Sequence, residues 1–242
     1  CAGDFDNDGD LDLFITSNPL NFLWLNNNDG TFIKVASGDI VTDTAWSHGA
    51  ACSDYDRDGD LDIFVANWND DNNFFYQNIG NTNSWLNIKC IGKISNKSAI
   101  GSKVRLKAVI NGAPVWQLRD ILAQTGCWGQ NSLNVHFGLG DASLIDSIKI
   151  EWPSEQITDI LTDVTPNQFI TITETICGNV NEDQDVDILD IVYLINFKYK
   201  AGPSVVPEYA ADVNHDDNID ILDIVHLINY KYKGGPKPDC QS

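Results

Sequence analysis

The chain has 242 residues, enough for two or three small domains, and its 43% hydrophobic content excludes general disorder. A formal charge of −20 excludes nucleic-acid binding through a basic patch. No apolar run approaches the length needed to span a membrane. The acids are unevenly spread, and many sit in four short Asp-rich loops. Four divalent cations there would return +8, leaving about −12. The chain contains no methionine, so it reads as a processed or truncated piece of a longer reading frame.

Residues 1–82 contain Asp4-Phe-Asp6-Asn-Asp8-Gly9-Asp10-Leu-Asp12 and, 50 residues on, Asp54-Tyr-Asp56-Arg-Asp58-Gly59-Asp60-Leu-Asp62. A short β-type run follows each, Leu-Phe-Ile-Thr or Ile-Phe-Val-Ala, and then an aromatic-rich strand from Asn21 or Asn73. Asn28-Asp29-Gly30 reads as a hairpin turn. Short acidic side chains converging on a tight turn suit a hard cation. The expected carboxylate ligands are Asp4, Asp6, Asp8 and Asp12, then Asp54, Asp56, Asp58 and Asp62. Asp10 and Asp60 hold the seventh position, where the backbone carbonyl is the usual ligand, and Gly9 and Gly59 permit the sharp turn. A strand-rich unit repeating near 50 residues marks a propeller blade. The segment resembles the FG-GAP (VCBS) repeat of integrin-type propellers. Two repeats cannot close a propeller of roughly four to eight blades, so the resemblance implies the end of a longer one, or packing on the next segment or another subunit.

Residues 83–175 alternate with period two, as in Lys103-Val-Arg-Leu-Lys-Ala-Val, which predicts an antiparallel β sandwich or barrel. The phrases Asn96-Lys-Ser-Ala-Ile-Gly-Ser, His136-Phe-Gly-Leu-Gly140 and Ile148-Lys-Ile-Glu-Trp-Pro-Ser154 resemble the ASPIC/UnbV domain. That domain follows FG-GAP repeats in cartilage-acidic-protein-like secreted proteins.

Residues 176–242 hold a duplication. The run Asn179-Val-Asn181-Glu-Asp183-Gln-Asp185-Val-Asp187-Ile-Leu-Asp190 recurs 33 residues later as Asp212-Val-Asn214-His-Asp216-Asp-Asn218-Ile-Asp220-Ile-Leu-Asp223. Oxygen-bearing side chains at loop positions 1, 3, 5, 9 and 12 match a twelve-residue calcium loop, and the carbonyls of Asp185 and Asn218 fall at position 7. Each loop runs into an apolar helix. Two departures stand out. Gln184 and Asp217 replace the usual sixth-position glycine, at roughly 1 kcal/mol for a left-handed turn. Asn179 replaces the usual first aspartate, so loop one is expected to bind more weakly than loop two. Asp190 and Asp223, rather than a bidentate glutamate, argue for structural sites instead of a sensor switch.

This pairing resembles a type I dockerin, which implies a cohesin-like partner. In dockerins the residues at loop positions 10 and 11, with outward helix positions, meet the cohesin. The resemblance assigns that role to Ile188, Leu189, Ile221 and Leu222, with Tyr193, Phe197, Lys198 and Lys200, then His226, Tyr230, Lys231 and Lys233. The alternative is that one face packs on the preceding β domain.

Six cysteines without a C-x-x-C pair disfavour zinc or thioredoxin-type chemistry and suit an oxidising compartment. Of the fifteen connectivities, position favours Cys177–Cys240 bracketing the duplicated module, Cys90–Cys127 within the middle segment and Cys1–Cys52 at equivalent repeat points.

No G-x-S-x-G, H-E-x-x-H or P-loop occurs, and calcium accounts for the carboxylate pairs, so no enzyme is expected. Trp46, Trp68, Trp116 and Trp128 are candidates for stacking on sugars or for packing. His136 reads as a structural strand residue. The expected protein is mainly β with a small α C-terminal domain, secreted, non-catalytic and held by about four calcium ions. Its tail would assemble with a cohesin-like protein or with copies of itself. A self-assembling fibre or layer subunit, or a carbohydrate-binding accessory region of a larger enzyme, are the alternatives.

Overall fold

A computed structural model describes residues 1–154, 158–183 and 185–240. The chain divides into two compact units: Cys1–Lys89 with Lys103–Ile148 and Leu161–Ile172, and Cys90–Ser102 with Lys149–Ile160 and Thr173–Ser242. Residues of the segment 83–175 contribute to both.

In the first unit, β1 (Ala2–Gly3), β2 (Asp12–Ile15), β3 (Phe22–Asn26) and β4 (Phe32–Lys34) form one antiparallel sheet in chain order. The expected hairpin turn joins β3 to β4, with Asn28 and Gly30 at positive φ. A short helix, α1 (Asp39–Thr42), leads to β5 (Ser47–Ser53), β6 (Asp62–Asn67) and β7 (Phe74–Tyr76), a second antiparallel sheet in chain order.

The registers match between the sheets. Phe14 pairs with Leu23 as Phe64 pairs with Phe75, and Leu13 pairs with Trp24 as Ile63 pairs with Tyr76. Burial does not match. One core gathers Phe5 and Phe14 of the first repeat with Leu61, Ile63 and Val65 of the second, and Leu23, Phe74 and Tyr76 pack against it. The two sheets therefore bury opposite faces of the same pattern. Cys1–Cys52 forms as expected, with Cα atoms 6.6 Å apart, tying the residue before β1 to β5.

The remaining strands are β8 (Ser84–Ile91), β9 (Lys103–Ile110), β10 (Ala113–Asp120), β11 (Val135–Gly140), β12 (Ile145–Glu151), β13 (Thr158–Val164) and β14 (Gln168–Thr173). They make sheets ordered β11-β8-β14 and β10-β9-β12-β13, and neither closes into a barrel among the described residues. Alternation decides the faces: Val104, Leu106, Ala108 and Ile110 are buried along β9, between residues that are half-buried or exposed. Asn111 and Gly112, both at positive φ, make the two-residue turn into β10.

The second unit carries α2 (Ile188–Tyr199) and α3 (Ile221–Lys233). Asp187 and Asp220 cap them, and Asp190 and Asp223 complete a capping box at each start. Gly234 in the left-handed region ends α3. Ile191 and Leu194 pack with Ile224, Leu227, Val205 and Val213 in a core that includes Cys177–Cys240, whose Cα atoms are 5.5 Å apart. The expected Cys90–Cys127 bridge does not form. Cys90 is buried in β8 and belongs to the second unit, whereas Cys127 is exposed on a loop of the first, and both thiols are free. Burial, with Asp159 nearby, pushes the Cys90 thiol up to about 12, so it behaves as a small apolar core residue.

Candidate metal loops and partner surface

In the first loop Asp4, Asp6 and Asp8 each bring one oxygen within 4.8 Å of the others, and Asp54, Asp56 and Asp58 do the same in the second. Hydrogen bonds within each loop set this geometry. Asp4 accepts from the amides of Asp8 (3.1 Å) and Gly9 (3.0 Å), and Asp54 accepts from Gly59 (3.1 Å). The fourth and sixth positions turn left-handed: Asn7 and Gly9, then Arg57 and Gly59.

Asp12 and Asp62 act differently. Asp12 Oδ2 accepts from Phe5 N and Oδ1 from Asn26 N, both at 2.8 Å. Asp62 repeats this with Tyr55 N (2.8 Å) and Asn78 N (2.9 Å). Asp12 ties its loop to the end of β3, and Asp62 ties its loop to the segment just past β7. The loops also interlock, since Asn7 Nδ2 donates to Gly59 O (3.2 Å) and Asp60 Oδ1 (2.7 Å). Asp60 thus gains a side-chain role beyond the carbonyl position assigned to it. His136 is a buried strand residue with Nε2 2.9 Å from Gly59 O, and burial pushes its pKa down to about 4.

The electrostatics describe crowded anions. Burial raises Asp4 and Asp6, with Asp8 adding repulsion. Asp10 and Asp60 rise to about 6 through burial and the neighbouring Asp8 or Asp58, and burial takes Asp12 to about 7. Asp6 Oδ1 and Asp54 Oδ1 are buried without a hydrogen-bond partner. An all-oxygen donor set, mutual repulsion and partnerless buried oxygens fit a hard divalent cation.

The C-terminal loops share one frame. Asp190 Oδ1 accepts from Val180 and Asn181 and Oδ2 from Asp187; Asp223 takes Val213, Asn214 and Asp220 identically. Asp187 and Asp220 accept from Leu189 N and Leu222 N as helix caps. Asn181 donates to Asp183, and Asn214 to Asp216. The amides of Asp185 and Asn218 donate back to Asp183 and Asp216, leaving the position-7 carbonyls at the turn. The loops differ at position 1. Asp212 accepts from Asp216 N (3.1 Å) and Asp217 N (2.9 Å). Asn179 is buried, with neither side-chain amide atom hydrogen-bonded. Asp217 adopts the expected left-handed turn, φ 64°. Gln184 lies outside the described residues.

Of the expected partner residues, Ile188, Leu189, Ile221 and Leu222 are exposed, as are Lys198 and Lys231. Val192 and Val225, one turn later, are exposed too and extend each patch. Their i+4 spacing from Ile188 and Ile221 was the available signal, masked because the helices are apolar almost all round. Tyr193 turns inward, donating to Ser204 O (3.1 Å), and Phe197 packs on the module core. Elsewhere Trp46 and Trp68 are exposed on either side of His48, with ring centroids 6.4 and 5.6 Å from the imidazole. Trp116 and Trp128 are exposed on β10 and a loop.

Comparison with protein families matches residues 4–65 to the FG-GAP-like repeat, 92–178 to ASPIC and UnbV and 178–230 to the dockerin type I domain. The comparison with curated proteins returned no match. Dockerin type I domains generally bind calcium, and a dockerin implies a cohesin partner. Among the described residues no helix is long and apolar enough to cross a membrane. The chain carries an FG-GAP-like repeat, an ASPIC and UnbV segment and a dockerin type I domain in that order, a combination that with its two disulfides points to extracellular assembly between proteins.

Proposed function

We propose that the protein is a non-catalytic, secreted scaffold, stabilised by about four calcium ions, whose C-terminal module docks a cohesin-like protein in a calcium-dependent way. The observation that carries the docking is the twin apolar patch. Ile188, Leu189 and Val192 on α2, and Ile221, Leu222 and Val225 on α3, stay exposed directly beside the two loops. The loops would supply Asn179, Asn181, Asp183, Asp187 and Asp190, or Asp212, Asn214, Asp216, Asp220 and Asp223. A bound cation would offset two of the negative charges in each loop and hold both helix starts in place. The N-terminal loops would use Asp4, Asp6, Asp8 and Asp12, and their counterparts Asp54, Asp56, Asp58 and Asp62. A structural role for these acids is supported by Asp12, Asp62, Asp190 and Asp223, each of which gives both oxygens to backbone amides. Titration calorimetry with a cohesin domain, in calcium and after EGTA, tests the reading. Binding that persists in EGTA, or no binding in calcium, would count against it.

A second reading is supported by the Trp46–His48–Trp68 cluster, where exposed indoles flank an imidazole beside the amide-rich turn from Asn67 to Asn73. Such a surface suits stacking on sugar rings. A glycan array with no hits would dispose of it.

A further inference from the structure

The two N-terminal loops are joined by one side chain. Asn7, at the fourth position of the first loop, is 1% exposed. Its Nδ2 donates into the second loop, to Gly59 O at 3.2 Å and to Asp60 Oδ1 at 2.7 Å. The counterpart of Asn7 in the second loop is Arg57, which shares the left-handed turn but lays its guanidinium over the Phe169 ring at 4.5 Å. The contact between the loops therefore comes from the first loop alone. Strand β11 crosses both loops with alternate residues. His136 Nε2 lies 2.9 Å from Gly59 O, Gly138 N donates to Asp4 Oδ2 at 3.1 Å, and Gly140 N donates to Asn7 O at 2.8 Å. A Cβ on Gly138 would lie 2.2 Å from Asp4 Oδ2 and 2.5 Å from Asn7 Cα, so only glycine lets the strand pass this close to the first loop.

We infer that the two N-terminal loops bind their cations with positive cooperativity, and that Asn7 carries the coupling under the cover of β11. This rests on the calcium reading proposed above. In the second loop the contacts converge on one peptide. Gly59 O accepts from Asn7 Nδ2 and His136 Nε2, and Asp60 N donates to Asp58 Oδ1 at 3.0 Å. The next carbonyl, that of Asp60, holds the position-7 ligand place. Fixing the Gly59–Asp60 peptide therefore fixes where that carbonyl points. In the first loop, a cation drawing Asp4, Asp6 and Asp8 together sets the left-handed turn at Asn7, because Asp4 holds the amides of Asp8 and Gly9 just beyond it. That turn aims the Asn7 amide. With the first loop occupied, less of the second loop is left for its own cation to order, and the ordering already achieved appears as affinity. By linkage the effect runs equally in both directions. Repulsion between two dications has the opposite sign, but salt screens it, whereas the Asn7–Gly59 hydrogen bond is buried.

Calcium titration of the isotope-labelled full chain by NMR tests it. The backbone amides of Gly9 and Gly59 report the two loops separately, since each donates to the first aspartate of its own loop. Asp56→Asn with Asp58→Asn disables the second loop, and Asp6→Asn with Asp8→Asn disables the first. Disabling the second loop is expected to raise the calcium midpoint of Gly9 about tenfold, and disabling the first to raise that of Gly59 by the same factor. Asn7→Gly keeps the left-handed turn and every ligand of the second loop, yet is expected to raise the Gly59 midpoint. In that background, disabling either loop is expected to move the other's midpoint less than about threefold. Midpoints that stay put when the other loop is disabled would overturn the inference and leave the calcium reading standing. Undiminished coupling in Asn7→Gly would overturn the role given to Asn7. Amides that do not respond to calcium at all would overturn both the inference and the reading beneath it.

Discussion

Tyr209 donates its hydroxyl to Asp159, a buried carboxylate that lies 50 residues earlier in the chain. Asp159 also accepts from Trp152 Nε1 at 2.6 Å and from Thr175 N at 3.1 Å. One acid thus joins the end of a β segment, the connection to the duplicated loop–helix module and the turn between the module's helices. Burial and the adjoining Asp159 both raise the Tyr209 pKa, so the phenol remains a donor. The residues just before the helical module are thereby tied to it within the second unit. Tyr209→Phe removes one hydrogen bond to a charged group and should cost about 1.5–3 kcal/mol. Calorimetric melting should register that loss while equilibrium dialysis finds the calcium content unchanged. An unaltered melting curve would rule out this clamp.

The difference between Asn179 and Asp212 gives a prediction about metal affinity. Asp212 holds the amides of Asp216 and Asp217, whereas the Asn179 amide is buried without a partner. On the calcium reading, Asn179→Asp adds one charge and a second acceptor to loop one. The weaker C-terminal calcium transition should then tighten on the order of tenfold, as charge count tunes such loops. Calcium titration followed by tyrosine fluorescence measures it. A variant that binds no more tightly than wild type would show that the first position does not limit loop one.

Much of this was legible because the loops are local. The spaced acids and, in the first two loops, the turn glycines all lie within twelve residues, so Asp4 to Asp12 and Asp212 to Asp223 can be read in isolation. The two terminal disulfides were legible from position alone. Which face of a blade is covered was not: Leu13 and Phe14 are both apolar, as are Ile63 and Phe64, so alternation cannot distinguish inside from outside. Stacking between repeats decides it. The Cys90–Cys127 expectation failed for a related reason, since strand burial assigned Cys90 to a different unit from its neighbour in the segment. The Tyr209–Asp159 tie spans too much chain to leave a local signature.

Glu174 carries the pH prediction. Its carboxylate is buried and accepts from the amides of Lys93, Ile94 and Ser95 at 2.7–2.9 Å, and from the hydroxyls of Ser95 and Ser154. Burial alone would raise its pKa, but these donors outweigh it and hold the group below its ordinary value. A depressed folded-state pKa contributes stability above the unfolded value, near 4.3, that is lost as pH falls through the folded value. Glu174→Gln leaves amide donors facing an NH₂ group and should cost about 1–3 kcal/mol at neutral pH. Because other carboxylates titrate in the same range, the difference between variant and wild type is the informative quantity. It should shrink as pH falls below about 4 in urea unfolding series. A gap that stays constant with pH would remove Glu174 as the source.

Equivalent glycines in the two N-terminal loops should tolerate change unequally. Gly9 and Gly59 both have φ near +100°, so alanine strains the backbone at either site. Their surroundings differ. A Cβ on Gly9 would meet the Ile110 Cδ1 methyl at 2.9 Å, the free end of a flexible side chain. A Cβ on Gly59 would lie 1.9 Å from the Trp85 indole, which is itself set edge to face against Phe169 at 5.2 Å, with Arg57 over that second ring. Ile110 can rotate aside; Trp85 can move only by breaking the stack. Gly9→Ala should therefore cost about 1–2 kcal/mol, mostly backbone strain, and Gly59→Ala about 3–4 kcal/mol. Chemical denaturation of both variants in saturating calcium measures the order. Equal losses would mean that backbone strain alone governs these turns and that the Trp85 contact yields freely.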